Sequence, residues 1–222
     1  DKISNKNIVN IGVTGTNGKS TICAMLYHAL INSGCKSYLV GNFGVSIFDI
    51  AEYFAVIPAD EKVVIVNEIS SFQLDLMHDN TLDISLISNI AEDHTSRHGT
   101  FENYINSKLS IVDRLVVGGI FIANADDAVL KGSAKDYQGT SAVVDCYFSA
   151  SGKSESCVVI GDSGNVEFNF DDFKRDFDIA SIFIKGKHNI ENFLAVCATL
   201  YHIANKLRFS EDSLVEMLYN AM

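Results

Sequence analysis

Residues 12–21 read GVTGTNGKST, and this stretch carries the residue types that can hold phosphate groups. Gly15 and Gly18 would let backbone N–H groups point at phosphate oxygens, with the N-terminus of a following helix behind them. Lys19 would reach the β- and γ-phosphates of a nucleotide, and the Ser20 hydroxyl would bind Mg²⁺. A valine stands where the usual G-x-x-x-x-G-K-[ST] pattern has its first glycine, but every group that would touch phosphate is present.

A hairpin turn is the alternative for the same residues, since Asn-Gly between apolar runs favours a type I′ turn. The residues after Lys19, STICAMLYHAL, show helical rather than alternating patterning, which disfavours the hairpin. A strand, a loop and a helix in succession form the context that a phosphate-binding loop requires. The sequence therefore predicts phosphate binding at this loop.

Two further apolar runs end in groups that can bind a cation. Glu68 follows VVIVN, and Glu92, Asp93 and His94 follow SNIA. Ligands of open α/β sheets bind at the carboxyl ends of the strands, so these groups are expected beside the phosphate loop. A solvated strand-end carboxylate and a structural histidine are the alternatives, but two such strand ends next to a phosphate loop favour a metal site.

Lys108 stands on the apolar side of a helix predicted over residues 101–115. At about 100° per residue, that side comprises Phe101, Tyr104, Ile105, Leu109, Ile111, Val112 and Leu115. A buried, unpaired ammonium is costly, so Lys108 requires a partner, a lowered pKa or a chemical modification. Snorkelling of its side chain to the rim of the core is the alternative.

The elements that would position these groups alternate between strands and helices. Residues 7–13 are predicted to form a buried strand, and residues 20–34 a helix that ends at Gly34. Further apolar runs of strand length, as buried parallel strands have, are SYLVG, KVVIVNEI, DISLISNI and GGIFIANA. We expect an α/β fold with a mostly parallel, P-loop-type sheet flanked by helices.

From about residue 141 to residue 184 the pattern changes from alternating strands and helices to successive strands, which predicts a small antiparallel β appendage. Its strands would be three apolar runs, SAVVDCYFS, CVVIGDSGNVEFNF and FDIASIFIKG, with a turn near residues 161–165. A long amphipathic helix follows, with one face formed by Ile190, Phe193, Leu194, Cys197, Leu200, Tyr201 and Ala204. A last helix, N-capped by Ser210, runs to the end of the chain.

The composition of the 222 residues is that of an ordinary globular protein, with 47% hydrophobic and 20% charged residues. A net charge of −11 argues against a nucleic-acid surface, because it would repel phosphate backbones. No apolar run approaches the roughly 18 residues of a membrane helix, and the polar start is no signal peptide. Five scattered cysteines are typical of reduced thiols. We expect a cytoplasmic, monomeric protein that binds neither nucleic acid nor membrane.

GVTGTNGKST resembles the ATP loop of the Mur ligases and folylpolyglutamate synthetases, a superfamily of ATP-dependent amide-forming enzymes. Within it, EISSFQL around Glu68 is similar to the D-glutamate-adding members, whereas diaminopimelate- or lysine-adding members usually have histidine where Phe72 stands. GNFG at 41–44, NADD at 124–127 and GKHNIENFLAV at 186–196 also match, so the resemblance spans nearly the whole chain. The chain is similar to the central ATPase domain of these ligases.

The resemblance implies a role for each residue of these motifs. ATP would be bound by Gly15, Thr16, Asn17, Gly18, Lys19, Ser20 and Thr21, with Asn192 on the adenine side. Two Mg²⁺ ions would be held by Ser20, Glu68, His94 and Lys108, the last as a carbamate formed with CO₂. The catalytic groups would be Lys19, Glu68, His94 and Lys108. The substrate would contact Asn42, Ser70 and Gln73.

The reaction that the resemblance implies joins D-glutamate to UDP-N-acetylmuramoyl-L-alanine. The alanine carboxylate would attack the γ-phosphate of ATP to give an acyl phosphate, and the D-glutamate amine would then displace phosphate. A different Mur ligase or a folylpolyglutamate synthetase-like enzyme is one alternative. A non-catalytic P-loop nucleotide-binding module is another, which Lys108, Glu68 and His94 together disfavour because a simple switch needs no second metal.

Such ligases have three domains, of which this chain resembles the middle one. Residues 1–206 would form the ATP-binding domain, and residues 207–222 a terminal helix leading toward a C-terminal domain that closes over ATP. That domain and an N-terminal domain for the uridine nucleotide are expected to be missing from the chain. The chain alone is therefore expected to be inactive.

Overall fold

The computed structural model describes residues 7–47, 49–50, 57–58, 60–93, 95–133, 144–153, 155–178 and 186–222. Within these residues one sheet contains nine strands: β1 Ile8–Thr14, β2 Lys36–Gly41, β3 Val63–Glu68, β4 Leu82–Ile87, β5 Leu115–Asn124, β6 Val144–Ser149, β7 Val158–Ile160, β8 Val166–Phe168 and β9 Asp176–Phe177. The helices described are α1 Lys19–Asn32, α2 Ser71–Leu74, α3 Thr95–His98, α4 Phe101–Leu109, α5 Ala128–Ser133, α6 Lys187–Leu207 and α7 Glu211–Asn220.

The strand order in the sheet is β2-β3-β1-β4-β5-β6-β7-β8-β9. Neighbours from β2 through β7 run parallel, and only the β7–β8 and β8–β9 pairs are antiparallel. The predicted fold class is therefore confirmed, with the antiparallel strands at one end of the sheet. The phosphate loop follows β1, which lies between β3 and β4, so the ends of those two strands flank it.

The prediction that the strand at 141–149 is antiparallel is wrong. β6 pairs in parallel with β5, Ile120 facing Val144, and β7 pairs in parallel with β6. The chain reaches β6 through helix α5, and a crossover of this kind returns the chain in the same direction. The predicted turn near residues 161–165 is confirmed, because it joins β7 to the antiparallel β8, with a hydrogen bond of 2.9 Å from Gly161 N to Asn165 O. Most of the last predicted strand, 179–185, lies outside the described residues.

Both faces of the central strands are buried, which explains their nearly continuous apolar sequences. In β3, Val64 and Val66 belong to a core cluster that also contains the buried side chains of α1 and α6. The intervening Val63 and Ile65 belong to a second cluster with Ile8 and Val40. A third cluster lies under α2 and α4. The sheet is thereby fixed as the platform for the loops at its carboxyl edge.

The helix predicted over residues 101–115 ends earlier, at Leu109. Ser110 is its C-cap, residues Val112–Arg114 form a 3-10 turn, and Leu115 already begins β5. The apolar pattern continues past the helix because Ile111, Val112 and Leu115 are also buried, in the cluster under α4. Periodicity alone therefore could not locate the helix end.

Both C-terminal helices pack on α1 and on each other, and α6 also packs on strands β5, β6 and β7 of the sheet. The predicted N-cap of α7 is confirmed, since the Ser210 side chain accepts a hydrogen bond from Ser213 N. The predicted apolar face of α6 is buried, except for the half-buried Ile190, but Ala195, Val196, Ala198 and Thr199 are buried as well. None of the described helices is both long and apolar enough to cross a membrane.

Candidate nucleotide-binding site

The phosphate loop connects the end of β1 to the start of α1. Gly15 and Gly18 have φ of 145° and 85°, values that L side chains rarely adopt. Gly18 is the N-cap of α1, and no side chain caps this helix, so the N–H groups of its first turn face the loop without a side-chain acceptor. A helix N-terminus of this kind is a site for an anion such as phosphate. The hairpin alternative is wrong, because the chain continues into a helix.

Both loop glycines lie against other parts of the site. A Cβ on Gly15 would lie 2.0 Å from Ser88 Oγ, and a Cβ on Gly18 would lie 2.3 Å from Asn192 Oδ1. The buried Asn192, in the second turn of α6, therefore lies beside the phosphate loop, although the two are far apart in sequence. The structure brings together Gly18 and Asn192, which the resemblance assigned to phosphate and adenine.

The loop is held in place by the segment after β4. Thr16 N donates to Asn89 O and Asn17 N donates to Asn89 Oδ1, both at 2.9 Å. Ser88 Oγ donates to Asn17 O at 2.6 Å. The backbone N–H groups of Thr16 and Asn17 are thus bonded within the protein, and those of the first turn of α1 remain for phosphate. Ser88 and Asn89 were not expected at the site from sequence, and only their place at the end of an apolar strand pointed to them.

The Gly15 carbonyl accepts hydrogen bonds from two lysine side chains. Lys19 Nζ donates to Gly15 O and to Thr16 O at 2.9 Å each, and Lys108 Nζ donates to Gly15 O at 2.8 Å. Lys108 is 2% exposed, so the snorkelling alternative is wrong. Burial, with a further contribution from the charge of Lys19, lowers the pKa of Lys108 to about 7. Both the partner and the lowered pKa expected for this lysine are therefore present.

Negative charge and an aromatic ring complete the surroundings of the two lysines. Burial lowers the pKa of Lys19, while the charges of Glu68 and Asp93 raise it. Asp93 also raises the pKa of Lys108. The Tyr104 ring lies 4.7 Å from Lys108 Nζ, and its hydroxyl lies 3.1 Å from Thr16 Oγ1. Asp93 was expected beside the loop as a strand-end carboxylate, whereas Tyr104 was placed only on the apolar face of its helix.

Glu68 ends β3 next to the loop and is 1% exposed. Its Oε1 accepts a hydrogen bond of 3.0 Å from Asn42 Nδ2, whereas its buried Oε2 has no hydrogen-bond partner among the described residues. A buried carboxylate oxygen without a partner is costly unless a cation binds it, and oxygen is the ligand that Mg²⁺ prefers. Glu68 therefore fits the metal role, and the exposed Ser20 lies in the first turn of α1.

His94, the other predicted metal ligand, lies outside the described residues. Among the residues that are described, no three histidine, cysteine, aspartate or glutamate side chains come together as a metal cluster. A carbamate on Lys108 would add a ligand that the unmodified chain lacks. The two-metal arrangement thus stays a prediction.

The predicted substrate contacts lie directly beyond Glu68. Asn42 is exposed, and its N–H donates to Glu68 O at 2.9 Å. Ser70 and Gln73 form a capping box at the start of α2, with Ser70 N donating to Gln73 Oε1 at 2.8 Å and Gln73 N donating to Ser70 Oγ at 3.3 Å. The capping box gives this pair a structural reason to be present, and a contact with substrate stays a prediction.

A cleft of about 710 Å³ opens beside the phosphate loop. It lies between the loop, the segments after β4 and β5, and the start of α6. Most of the residues that line it are polar; they are Asn17, Gly18, Thr21, Asn89, Ile90, Ala91, Asn124, Asp126, Asp127, Lys187, His188, Asn189, Glu191 and Asn192. Its position next to the loop suits the base and ribose of a nucleotide whose phosphates lie on the loop.

Gly15→Ala is expected to weaken ATP binding by the chain at least about tenfold, because the new Cβ would collide with Ser88 and displace the loop. Gly34→Ala is the matched control: Gly34 also has a positive φ, of 74°, but no heavy atom lies within 4 Å of its Cβ position. It should lower the melting temperature and leave ATP affinity unchanged. Calorimetric titration checks both, and wild-type affinity in Gly15→Ala would contradict the assignment of the loop.

Residues 13–200 match the family model of the Mur ligase middle domain. The chain is 32% identical over 214 residues to the UDP-N-acetylmuramoylalanine--D-glutamate ligase of Clostridioides difficile (strain 630), covering 96% of this chain and 45% of that protein. It is 35% identical over 192 residues to the protein of the same name from Thermoanaerobacter sp. (strain X514), covering 85% and 40%. The chain spans less than half the length of these relatives.

Solved structures share the fold at lower identity. A UDP-N-acetylmuramoyl-L-alanyl-D-glutamate--2,6-diaminopimelate ligase aligns with a TM-score of 0.71 at 21% identity, over 96% of this chain and 46% of that one. MurF ligase from Thermotoga maritima, solved in complex with ADP, aligns with a TM-score of 0.62 at 18% identity, over 91% and 47%. Given the family match over most of its length, the chain belongs to the Mur ligase family and contains its middle domain.

Proposed function

We propose that the Mur ligase to which this domain belongs adds D-glutamate to UDP-N-acetylmuramoyl-L-alanine, a step of peptidoglycan precursor synthesis, with ATP as the second substrate. The main observation in support of this chemistry is the buried Lys108, whose Nζ donates a hydrogen bond to Gly15 O in the phosphate loop, as Lys19 Nζ also does. The choice of D-glutamate is supported by relatives of that name at 32% and 35% identity. EISSFQL, which includes Phe72, agrees with it.

The residues of the loop bind the phosphates of ATP. Within Gly15 to Thr21, the N–H groups of the α1 N-terminus face the phosphates, while those of Thr16 and Asn17 stay bonded to Asn89. Lys19 leaves the carbonyls of Gly15 and Thr16 to pair with the β- and γ-phosphates. The base and ribose enter the adjoining cleft, where Asn192 lies beside Gly18 of the loop.

The metal ligands are Ser20, Glu68, His94 and a carbamate on Lys108, for two Mg²⁺ ions. When bound, Mg²⁺ neutralises charge that builds up on the transferred phosphoryl group. Lys108 suits carbamylation because a pKa of about 7 leaves much of its amine neutral near pH 7. The neutral nitrogen attacks CO₂, a nitrogen–carbon bond forms, and the amine releases a proton.

The bond-forming steps then take place between the substrates. The alanine carboxylate attacks the γ-phosphorus, ADP leaves, and an acyl phosphate results; the amine of D-glutamate attacks the acyl carbon and phosphate leaves. Asn42, Ser70 and Gln73 contact the muramoyl substrate at the end of β3. The Phe72 ring, next to Gln73 in sequence, contacts Arg97, whose guanidinium carbon lies 4.5 Å from the ring centroid, and His98, whose ring centroid lies 5.7 Å away. We place the enzyme in the cytoplasm as a monomer.

The test offers a panel of amino acids, as alternative acceptors of the acyl group, to a full-length ligase that contains this chain. UDP-N-acetylmuramoyl-L-alanine, ATP and Mg²⁺ are incubated with radiolabelled D-glutamate. Parallel reactions offer labelled diaminopimelate or L-lysine to UDP-N-acetylmuramoyl-L-alanyl-D-glutamate, and labelled glutamate to a folate. Label should enter the muramoyl product only from D-glutamate. Label from another acceptor would assign the chain to another ligase of the superfamily. ATP binding without incorporation from any acceptor would favour a non-catalytic nucleotide-binding module.

The 222-residue chain by itself is expected to bind ATP weakly and to incorporate no D-glutamate. Amide formation requires two reactants within near-attack distance and water excluded from the acyl phosphate. The described residues supply phosphate and metal groups at one edge of the sheet, and the chain spans less than half the length of its relatives. Labelled D-glutamate in a muramoyl product formed by the purified chain alone would contradict this.

A further inference from the structure

Asp126 follows β5 and lines the cleft, but its carboxylate is bonded to the turn after β6. Oδ2 accepts hydrogen bonds from Ala150 N at 2.7 Å and Ser151 N at 3.0 Å. Oδ1 accepts from Ser149 Oγ at 2.9 Å and from Ser151 Oγ. Lys153 Nζ lies 3.1 Å from the same Oδ1 and also donates to Ala125 O. The end of β5 is thus tied to the whole turn from residue 149 to residue 153.

These contacts leave the carboxylate of Asp126 no free position. Five donors surround two oxygens, which offer about four lone-pair sites between them. Burial raises the pKa of Asp126, but the hydrogen bonds from Ser151, Ser149 and Lys153 outweigh this effect and lower the pKa to about 2. Asp126 is therefore ionised near pH 7, compensated by Lys153, and engaged as an acceptor within the protein.

The next residue, Asp127, ties the same strand end to the segment after β4, which also lines the cleft. Asp127 Oδ2 accepts a hydrogen bond of 2.8 Å from Ile90 N, in the segment after β4. Its Oδ1 accepts from Val129 N and Leu130 N at the start of α5. The two aspartates together join the ends of β4, β5 and β6. The phosphate loop, in contrast, is anchored through Ser88 and Asn89.

We propose that Asp126 is a positioning residue which, with Lys153, holds the wall of the cleft that receives the base and ribose of ATP. This rests on the proposed binding of ATP. The bonds from Asp126 to the turn at residues 149–153 fix the end of β5, which lines the cleft, and the carboxylate of Asp126 does not itself touch the nucleotide. It should therefore affect binding of the nucleoside part of ATP and leave phosphate binding at the loop unchanged. Lys153 keeps the wall from presenting an unbalanced negative charge to a polyanionic ligand.

The experiment compares two ligands on the 222-residue chain with Mg²⁺ present: ATP, and inorganic tripolyphosphate, which has no base or ribose. Asp126→Asn is expected to weaken ATP binding about tenfold and to leave tripolyphosphate binding unchanged. The amide has one acceptor oxygen instead of two, and its NH₂ group faces hydrogen-bond donors of the turn, so part of the bonding to the turn is lost. Asp162→Asn, an exposed position in the β7–β8 turn, is the matched control and should bind both ligands like the wild type.

Two substitutions of Lys153 separate charge from folding. Lys153→Met should weaken ATP binding and leave tripolyphosphate binding unchanged. Lys153→Arg keeps the positive charge and should bind both ligands like the wild type. These two variants decide the question if Asp126→Asn does not fold. Unchanged ATP affinity in both Asp126→Asn and Lys153→Met, or an equal loss for both ligands, would overturn the proposal. A wild-type chain that binds neither ligand would instead overturn the proposed function.

Discussion

Replacement of Lys108 by alanine is expected to abolish amide formation by a full-length ligase that contains this chain, with a loss of about 1000-fold or more. Lys108 is 2% exposed and its Nζ lies 2.8 Å from Gly15 O, so the substitution removes a group from the centre of the phosphate site. If its role is to carry a carbamate, a short carboxylic acid such as acetate should enter the vacated space and restore part of the activity. Rates of phosphate release and of D-glutamate incorporation, with and without acetate, measure both effects.

The matched control for this variant is Lys206→Ala. Lys206 is a lysine of α6 that pairs with Asp83, at the amino end of β4, on the side of the sheet away from the loop. Its loss should leave activity and the acetate response unchanged. Supply of ¹³C-labelled bicarbonate to the wild type should also give a carbamate carbon signal that Lys108→Ala lacks. Full activity of Lys108→Ala without acetate would show that the lysine is only structural, and loss without rescue or carbamate signal would refute carbamylation.

The phosphate loop could be predicted because all of its signals are local in sequence. An apolar strand, two glycines that need positive φ, and a helix that begins at Lys19 follow one another within about ten residues. The place of Lys108 could also be predicted, because one turn of helical periodicity puts it between Tyr104 and Leu109 on the buried side. In both cases the physical cause acts over a few neighbouring residues.

Contacts between distant segments could not be predicted in this way. Ser88 and Asn89 bind the phosphate loop, and Asp126 binds the turn after β6, through pairings that only the strand order creates. The direction of β6 has the same origin, because an apolar run is compatible with either direction until its neighbour in the sheet is known. The end of α4 was missed since burial continues through the 3-10 turn.

The shared carbonyl of Gly15 has an electrostatic consequence for both lysines. Two ammonium groups donate to one oxygen, at 2.9 Å and 2.8 Å, so each charge opposes the other. Burial and, after it, the charge of Lys19 lower the pKa of Lys108, whereas the pKa of Lys19 is lowered by burial and raised by the charges of Glu68 and Asp93. The site therefore keeps Lys19 available as a cation for phosphate and Lys108 available as a neutral amine.

Lys19→Met is expected to weaken ATP binding by the 222-residue chain at least about 100-fold, because it removes the ammonium that we propose pairs with the β- and γ-phosphates. The apolar side chain of similar length leaves the fold intact, since Lys108 still donates to Gly15 O. Calorimetric titration with ATP and Mg²⁺ gives the affinity, and Lys206→Met is the control that should bind ATP like the wild type. Equal affinities in Lys19→Met and wild type would remove the loop from the proposed site.

The same variant should raise the pKa of Lys108 above its value of about 7, because the neighbouring positive charge that helps to lower it is gone. Burial lowers the pKa of Lys108 in the folded protein to about 7, below the ordinary value of 10.5. Below pH 7 the lysine is charged in both the folded and the unfolded state, and the folded state bears the full cost of burying that charge. Between pH 7 and 10.5 the folded state loses the proton first, so this cost is progressively relieved. The free energy of unfolding should therefore rise with pH in that window, by at most about 1.4 kcal/mol per pH unit. In Lys19→Met the rise should begin at higher pH. NMR titration of the lysine Nζ signals measures the shift directly, and an unchanged Lys108 pKa in Lys19→Met would show that burial alone sets it.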